Sequence, residues 1–114
     1  MKTSGDEFKP YAYYNKHLDK IVFYGKDCSI VAERKNKVFT LLRDAHGKEE
    51  YMGFAIKGVR HMMKEVGFSN KESLTLAAFF TNIIETYNDD TMRMIQKQFS
   101  GSMKLTIENF DIAA

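Results

Sequence analysis

KVFTLLRDAHGKEEYMGFAIKGV, residues 37–59, decides the fold. Two apolar runs flank the polar segment Asp44-Ala45-His46-Gly47-Lys48-Glu49. Before it, Val38, Thr40 and Leu42 alternate with Phe39, Leu41 and Arg43. After it, Met52, Phe54 and Ile56 alternate with Tyr51, Gly53, Ala55 and Lys57. Successive side chains on a strand point to opposite faces, so period-two patterning on both sides of a Gly-containing turn predicts a β-hairpin.

Upstream, the chain reads as further strands. Residues 1–7 are small, polar and charged and are expected to form a disordered lead-in. FKPYAYY, residues 8–14, predicts a first strand, at an edge or starting after Pro10, which has no N–H to donate. NKHLD, residues 15–19, reads as a turn. KIVFY, residues 20–24, is β-branched and aromatic and predicts a second strand. A turn at Gly25-Lys26-Asp27 leads to SIVAER, residues 29–34, and Lys35-Asn36 reverses the chain into Val38. The expected arrangement is an antiparallel meander.

Downstream, the period changes at Gly58. Val59, Met62, Met63 and Val66 recur at helical spacing, and Gly67 suits a helix end. Ser69 and Glu72 have the spacing of a capping box, predicting a long helix over residues 70–87. Its wide apolar face (Leu76, Phe79, Phe80, Ile83, Ile84, Tyr87) makes it the main cover of the sheet. Asn88-Asp89-Asp90 offers caps for a third helix over residues 91–99, with Met92, Ile95 and Phe99 as its stripe. Met103, Leu105 and Ile107 alternate with Lys104, Thr106 and Glu108, a final short strand that Phe110 and Ile112 extend or follow as a docked tail. The expectation is one α+β domain over residues 8–114: a meander covered on one face by two or three helices, with a short C-terminal strand.

Composition narrows the partners. A net charge of +2 provides no strong field for nucleic acid or an anionic membrane. Cys28 is the only cysteine, which excludes an internal disulfide and a multi-cysteine zinc site. No apolar run approaches the ~20 residues that span a bilayer, and the N-terminus lacks an apolar signal core. A cytoplasmic protein without a membrane partner is expected. No GxGxxG, P-loop or HExxH occurs, so no cofactor or metal is expected.

Candidate site residues are few. The chain has nine Phe, six Tyr, seven Met and no Trp. Core filling is the simpler explanation of this surplus, and an oligomer interface is the sharper one. The interface candidates are Phe79, Phe80, Ile84, Met92 and Met94. His17 and Asp19 in one turn, with Asp44 and His46 in another, are the polar candidates. They make an enzyme only if the two turns meet at one end of the sheet. His61 and Glu65 stand at i, i+4 and read as a solvated pair. Cys28 reads as a small half-buried side chain.

Two resemblances touch parts of the chain. Residues 51–87, a strand, a helix, a Gly-x-Ser turn and a second helix, resemble the order of a ribbon-helix-helix repressor. That likeness implies DNA binding by the strand, with Tyr51, Gly53, Ala55 and Lys57 as its exposed positions. Residues 13–58 are similar to the small YuzE-like domains of unknown function, through Tyr14 and Asp19, then Asp44, Gly47 and Gly53. With no activity assigned to that family, the likeness implies a fold fragment and no function. The leading expectation is therefore a small binding or regulatory module that self-associates or meets a protein partner, with nucleic acid disfavoured.

Overall fold

The computed structural model describes residues 8–46, 51–65, 74–87 and 89–110. Five strands come first: β1 (Tyr11–Asn15), β2 (Lys20–Tyr24), β3 (Ile30–Arg34), β4 (Phe39–Asp44) and β5 (Tyr51–Lys57). Helices α1 (Val59–Glu65), α2 (Leu76–Tyr87) and α3 (Asp90–Gln98) follow, then β6 (Ile107–Glu108). The fold is α+β. Its six strands lie in the order β3-β4-β5-β2-β1-β6, antiparallel except for the parallel β1–β6 contact.

This order corrects the expected continuous meander. It is broken between β2 and β3, because β2 pairs with β5. Residues 25–29 carry the chain past the ends of β5 and β4 to the far edge of the sheet. Three strand spacings are about 14 Å, and five extended residues span up to about 17 Å, so the short link suffices. Its two ends are tied down: the Gly25 N–H donates to Met52 O at 2.7 Å, and Ser29 O accepts the Ala45 N–H at 2.9 Å.

The alternation seen around the hairpin sets the faces, with one exception. Phe39, Leu41, Phe54 and Ile56 join Ala12, Tyr14, Ile21 and Phe23 on one face. That face packs against Val59, Met62 and Met63 of α1, Leu76, Phe79, Phe80 and Ile83 of α2, and Met92 and Ile95 of α3. Phe23 and Phe54 stack at 5.2 Å, and Phe80 and Phe99 meet the Phe54 ring at 5.7 and 5.5 Å. Each fully buried Phe or Leu stabilises by roughly 1.5–3 kcal/mol, so this layer dominates the core. The exception is the start of β5. A bulge opposite Leu42 and Arg43 leaves Met52 without a register partner and flips the pattern before it: Met52 packs with the other face, and Tyr51 packs against the helix-covered one. Gly53 beside Met52 is required: a Cβ there would lie 2.1 Å from Phe23 O.

The helices start where side chains can cap them. Asp89 caps α3, its carboxylate accepting the Thr91 and Met92 N–H groups. Thr75 Oγ1 accepts the Ala78 N–H at 3.1 Å, and α2 begins at Leu76 rather than near residue 70. Leu74 and Thr75 are extended there because they bond to the final strand segment: Ile107 N–H to Leu74 O and Leu76 N–H to Leu105 O. The final strand is only two residues long, and Phe110 packs edge-on against Tyr14 at 5.3 Å. The lead-in at residues 1–7, Gly47, Val66, Gly67, the Ser69–Glu72 capping pair, Asn88 and Ile112 lie outside the described residues.

β5 is hydrogen-bonded to β4 on one side and to β2 on the other. A ribbon-helix-helix strand must pair with a second chain, and this strand has no edge left to offer. Gly53 and Ala55 are buried besides. The arrangement of a ribbon-helix-helix dimer is therefore not the one this strand adopts.

Candidate functional site

The helices cover one face of the sheet, and among the described residues none covers the other. Along β1 and β2, Tyr11 lies opposite Tyr24, and Tyr13 opposite Val22. The period-two rule puts these residues on the open face, with Leu42 of β4 and Ala55 of β5. Val22, Leu42, Met52 and Ala55 form a buried floor, with Tyr13, Tyr24 and Cys28 packed against it. The Tyr13 ring stacks beside Tyr11 at 6.1 Å and beside Tyr24 at 6.4 Å, and Phe8 meets Tyr11 at 6.0 Å. Burial, then the neighbouring Tyr13 phenol, pushes the Tyr11 and Tyr24 hydroxyls above their usual pKa. The Tyr24 shift also reflects a hydrogen bond with the Tyr13 hydroxyl, so the phenols line the apolar floor as a linked group.

At one end of this face stand Asp44, Lys26 and Cys28. Asp44 is 8% exposed and pairs with Lys26 Nζ at 2.6 Å. Its other oxygen accepts the His46 N–H at 2.9 Å, which makes His46 a turn residue. Partial burial, then the Asp44 carboxylate, pushes the Cys28 thiol up, and Lys26 opposes the shift. A thiol held protonated is a poor nucleophile.

Asp19 lies at the opposite end. Hairpin β1–β2 turns at residues 16–19, where Asp19 takes a left-handed φ of 52°. Its carboxylate accepts the Tyr14 hydroxyl at 2.6 Å and the Arg60 N–H at 3.0 Å. Its carbonyl accepts the Gly58 and Val59 N–H groups at 3.0 and 3.4 Å. One turn residue thus satisfies the start of α1, and Gly58, at φ 72°, lets the chain bend into that position. Burial, then the bond to Asp19, pushes the Tyr14 hydroxyl up to about 12.

These positions separate the polar candidates. Lys20 of β2 is paired with Lys57 at the end of β5, and Tyr24 is paired with Gly53 near its start. His17 and Asp19 are therefore at one end of β5, and Asp44 and His46 at the other, roughly 20 Å away for seven residues. The convergence required by an enzyme of these four residues does not occur. His61 and Glu65 form an exposed pair at 3.8 Å. Among the described residues, no group of three or more His, Cys, Asp or Glu gathers to hold a metal. No helix among them is long and apolar enough to cross a membrane.

The apolar candidates also need correction. Phe79, Phe80 and Met92 are 0, 0 and 1% exposed, because α2 and α3 turn them into the chain's own core. Ile84 is partly buried against the same core. Met94 is the most open of the five, at 38%. The surface that sequence reasoning missed is the tyrosine face. Tyr11 and Tyr13 at i, i+2 in a predicted strand carry its signal, but Tyr24 joins them only through the β1–β2 register. Comparison with family models, curated proteins and solved structures returned no match to this chain.

Proposed function

We propose that this protein is a small cytoplasmic binding module that works as a homo-oligomer and recognises its ligand on the open sheet face. The carrying observation is an apolar floor of Val22, Leu42, Met52 and Ala55, paved by Tyr11, Tyr13 and Tyr24 and covered by no helix among the described residues. Tyrosine offers a broad apolar ring and one polar hydroxyl at small entropic cost, which suits a contact surface. The ligand chemistry that fits is a flat aromatic group: it stacks on the rings and leaves its polar atoms to the phenols. A cytoplasmic setting agrees with the one free thiol, Cys28. Reactive groups stay apart at the two ends of the sheet, which favours binding over catalysis.

The test is amide-resolved NMR of the full chain titrated with a set of small aromatic compounds. Shifts gathered at residues 11–13, 22–24, 42 and 55 support the reading. Shifts gathered elsewhere, or none at millimolar compound, overturn it. A Tyr13→Ser variant that keeps its melting temperature should lose those shifts.

A further inference from the structure

The two edges of the sheet are finished differently. Beyond β6, the chain seals its own edge with residues 74–77: Ile107 N–H bonds Leu74 O, Leu76 N–H bonds Leu105 O, and Ala77 N–H bonds Met103 O. Beyond β3 there is no strand among the described residues. Ser29 O and Lys35 N–H both bond toward β4 and its flanking turns. Peptide groups alternate along a strand, so residues 29, 31, 33 and 35 face inward, and Ile30, Ala32 and Arg34 direct their N–H and C=O groups outward. No described residue pairs with that outward row.

The side chains along this edge are unlike those of a protected one. Ile30 and Val31 are 41 and 42% exposed, on opposite faces, and β3 holds neither proline nor bulge. The charged end is balanced within the chain: Glu33 bonds Lys35 Nζ at 2.8 Å and has Arg43 Nε at 3.6 Å, and Arg34 Nε donates to Asn36 O.

We infer that the outer edge of β3 pairs antiparallel with β3 of a second copy of this chain, about a two-fold axis beside Val31, so that two six-stranded sheets become one. This rests on the self-association proposed above and gives it a surface. Parity selects the register. A continuous sheet keeps each face on one side, so paired positions must be both odd or both even. Centring on Glu33 sets like charges opposite each other. Centring on Val31 opposes Val31 to Val31 and Ile30 to Ala32, apolar against apolar, and separates the two Glu33 by roughly 13 Å along the strands. Ile30 and Ala32 then exchange both hydrogen bonds with their opposite numbers through the outward row. Both helical layers remain on one side, and the two tyrosine faces become one surface.

Light scattering coupled to size exclusion, over a range of concentrations, reads the mass. The full chain is expected at twice 13.2 kDa. Ala32→Pro removes an outward N–H and no bond within the chain; it should halve the mass and leave the circular dichroism spectrum unchanged. Val31→Lys places two ammonium groups at the axis and should raise the dimer dissociation constant at least tenfold. It also serves if the proline variant does not fold. Val31→Cys in a Cys28→Ser background should cross-link under mild oxidant, because a non-hydrogen-bonded antiparallel pair has Cα atoms about 4.5 Å apart, within disulfide reach. A dimer that survives Val31→Lys overturns this interface and leaves self-association standing through another surface. A chain that stays at 13.2 kDa at every concentration overturns both.

Discussion

Replacing Asp19 by alanine removes two hydrogen bonds and adds a backbone cost. The start of α1 loses the acceptor of the Arg60 N–H, and a lost helix cap costs about 1–2 kcal/mol. The Tyr14 hydroxyl, 2.6 Å from the carboxylate, is left without that acceptor in a buried site, costing about 1–3 kcal/mol. Alanine must also hold the left-handed φ of 52°, at about 1–2 kcal/mol. The losses share one site and do not add fully, so we expect about 3–5 kcal/mol in total. A chain of 114 residues has roughly 6–17 kcal/mol of stability to lose, so the variant folds but melts early. Urea denaturation at neutral pH measures it. Asp19→Gly keeps the backbone comfortable and should cost about 1 kcal/mol less than Asp19→Ala. Tyr14→Phe should cost about 1.5–3 kcal/mol alone and much less in the Asp19→Ala background. The reasoning fails if Asp19→Ala costs under about 1 kcal/mol, or if Tyr14→Phe costs the same in both backgrounds.

The same bond sets an alkaline limit. Because the Tyr14 pKa is raised in the folded chain, its contribution is complete below the ordinary 10.0 and is lost as pH climbs through about 12. Phenolate absorbance should lose its latest tyrosine step in Tyr14→Phe. Gly53→Ala drives a methyl to 2.1 Å from Phe23 O and must part β2 from β5, costing more than about 3 kcal/mol, whereas Gly101→Ala meets nothing and should stay within about 0.5 kcal/mol of the parent in urea. Asp44→Asn removes the charge that helps hold the Cys28 thiol protonated, so alkylation at neutral pH should quicken; an unchanged rate would show that burial alone controls the thiol.

Local pattern and hairpin pairing were readable in this chain, and pairing between distant segments was not. Alternation placed Phe39, Leu41, Phe54 and Ile56 on one face, and helical spacing marked Val59, Met62 and Met63 as buried. Asp89 caps α3 as an Asp before an amphipathic run should. The failures come from contacts between distant segments. Nothing in KIVFY says that β2 prefers β5 to β3, because that choice depends on the short crossing at residues 25–29. Leu74 and Thr75 have ordinary helix neighbours, yet they are drawn into extended form by residues 105–107. The bulge at Met52 flipped the faces of Tyr51 and Met52, because a one-residue slip reverses every side chain beyond it.

The site follows the same division. His17, Asp19, Asp44 and His46 looked alike in the sequence, two His and two Asp in two turns. The register sends them to opposite ends, and each Asp takes structural work there: Asp19 holds the start of α1, and Asp44 holds Lys26 and the turn at His46. A carboxylate whose oxygens are already occupied by amides, a phenol or an ammonium group has little left to offer a substrate. Surface left open among the described residues lies elsewhere, in the outward peptide groups of β3 and in the ring faces of Tyr11, Tyr13 and Tyr24. A strand satisfies the first and a flat ligand the second. One chain can therefore meet a copy of itself along an edge and another molecule across a face without the two contacts competing.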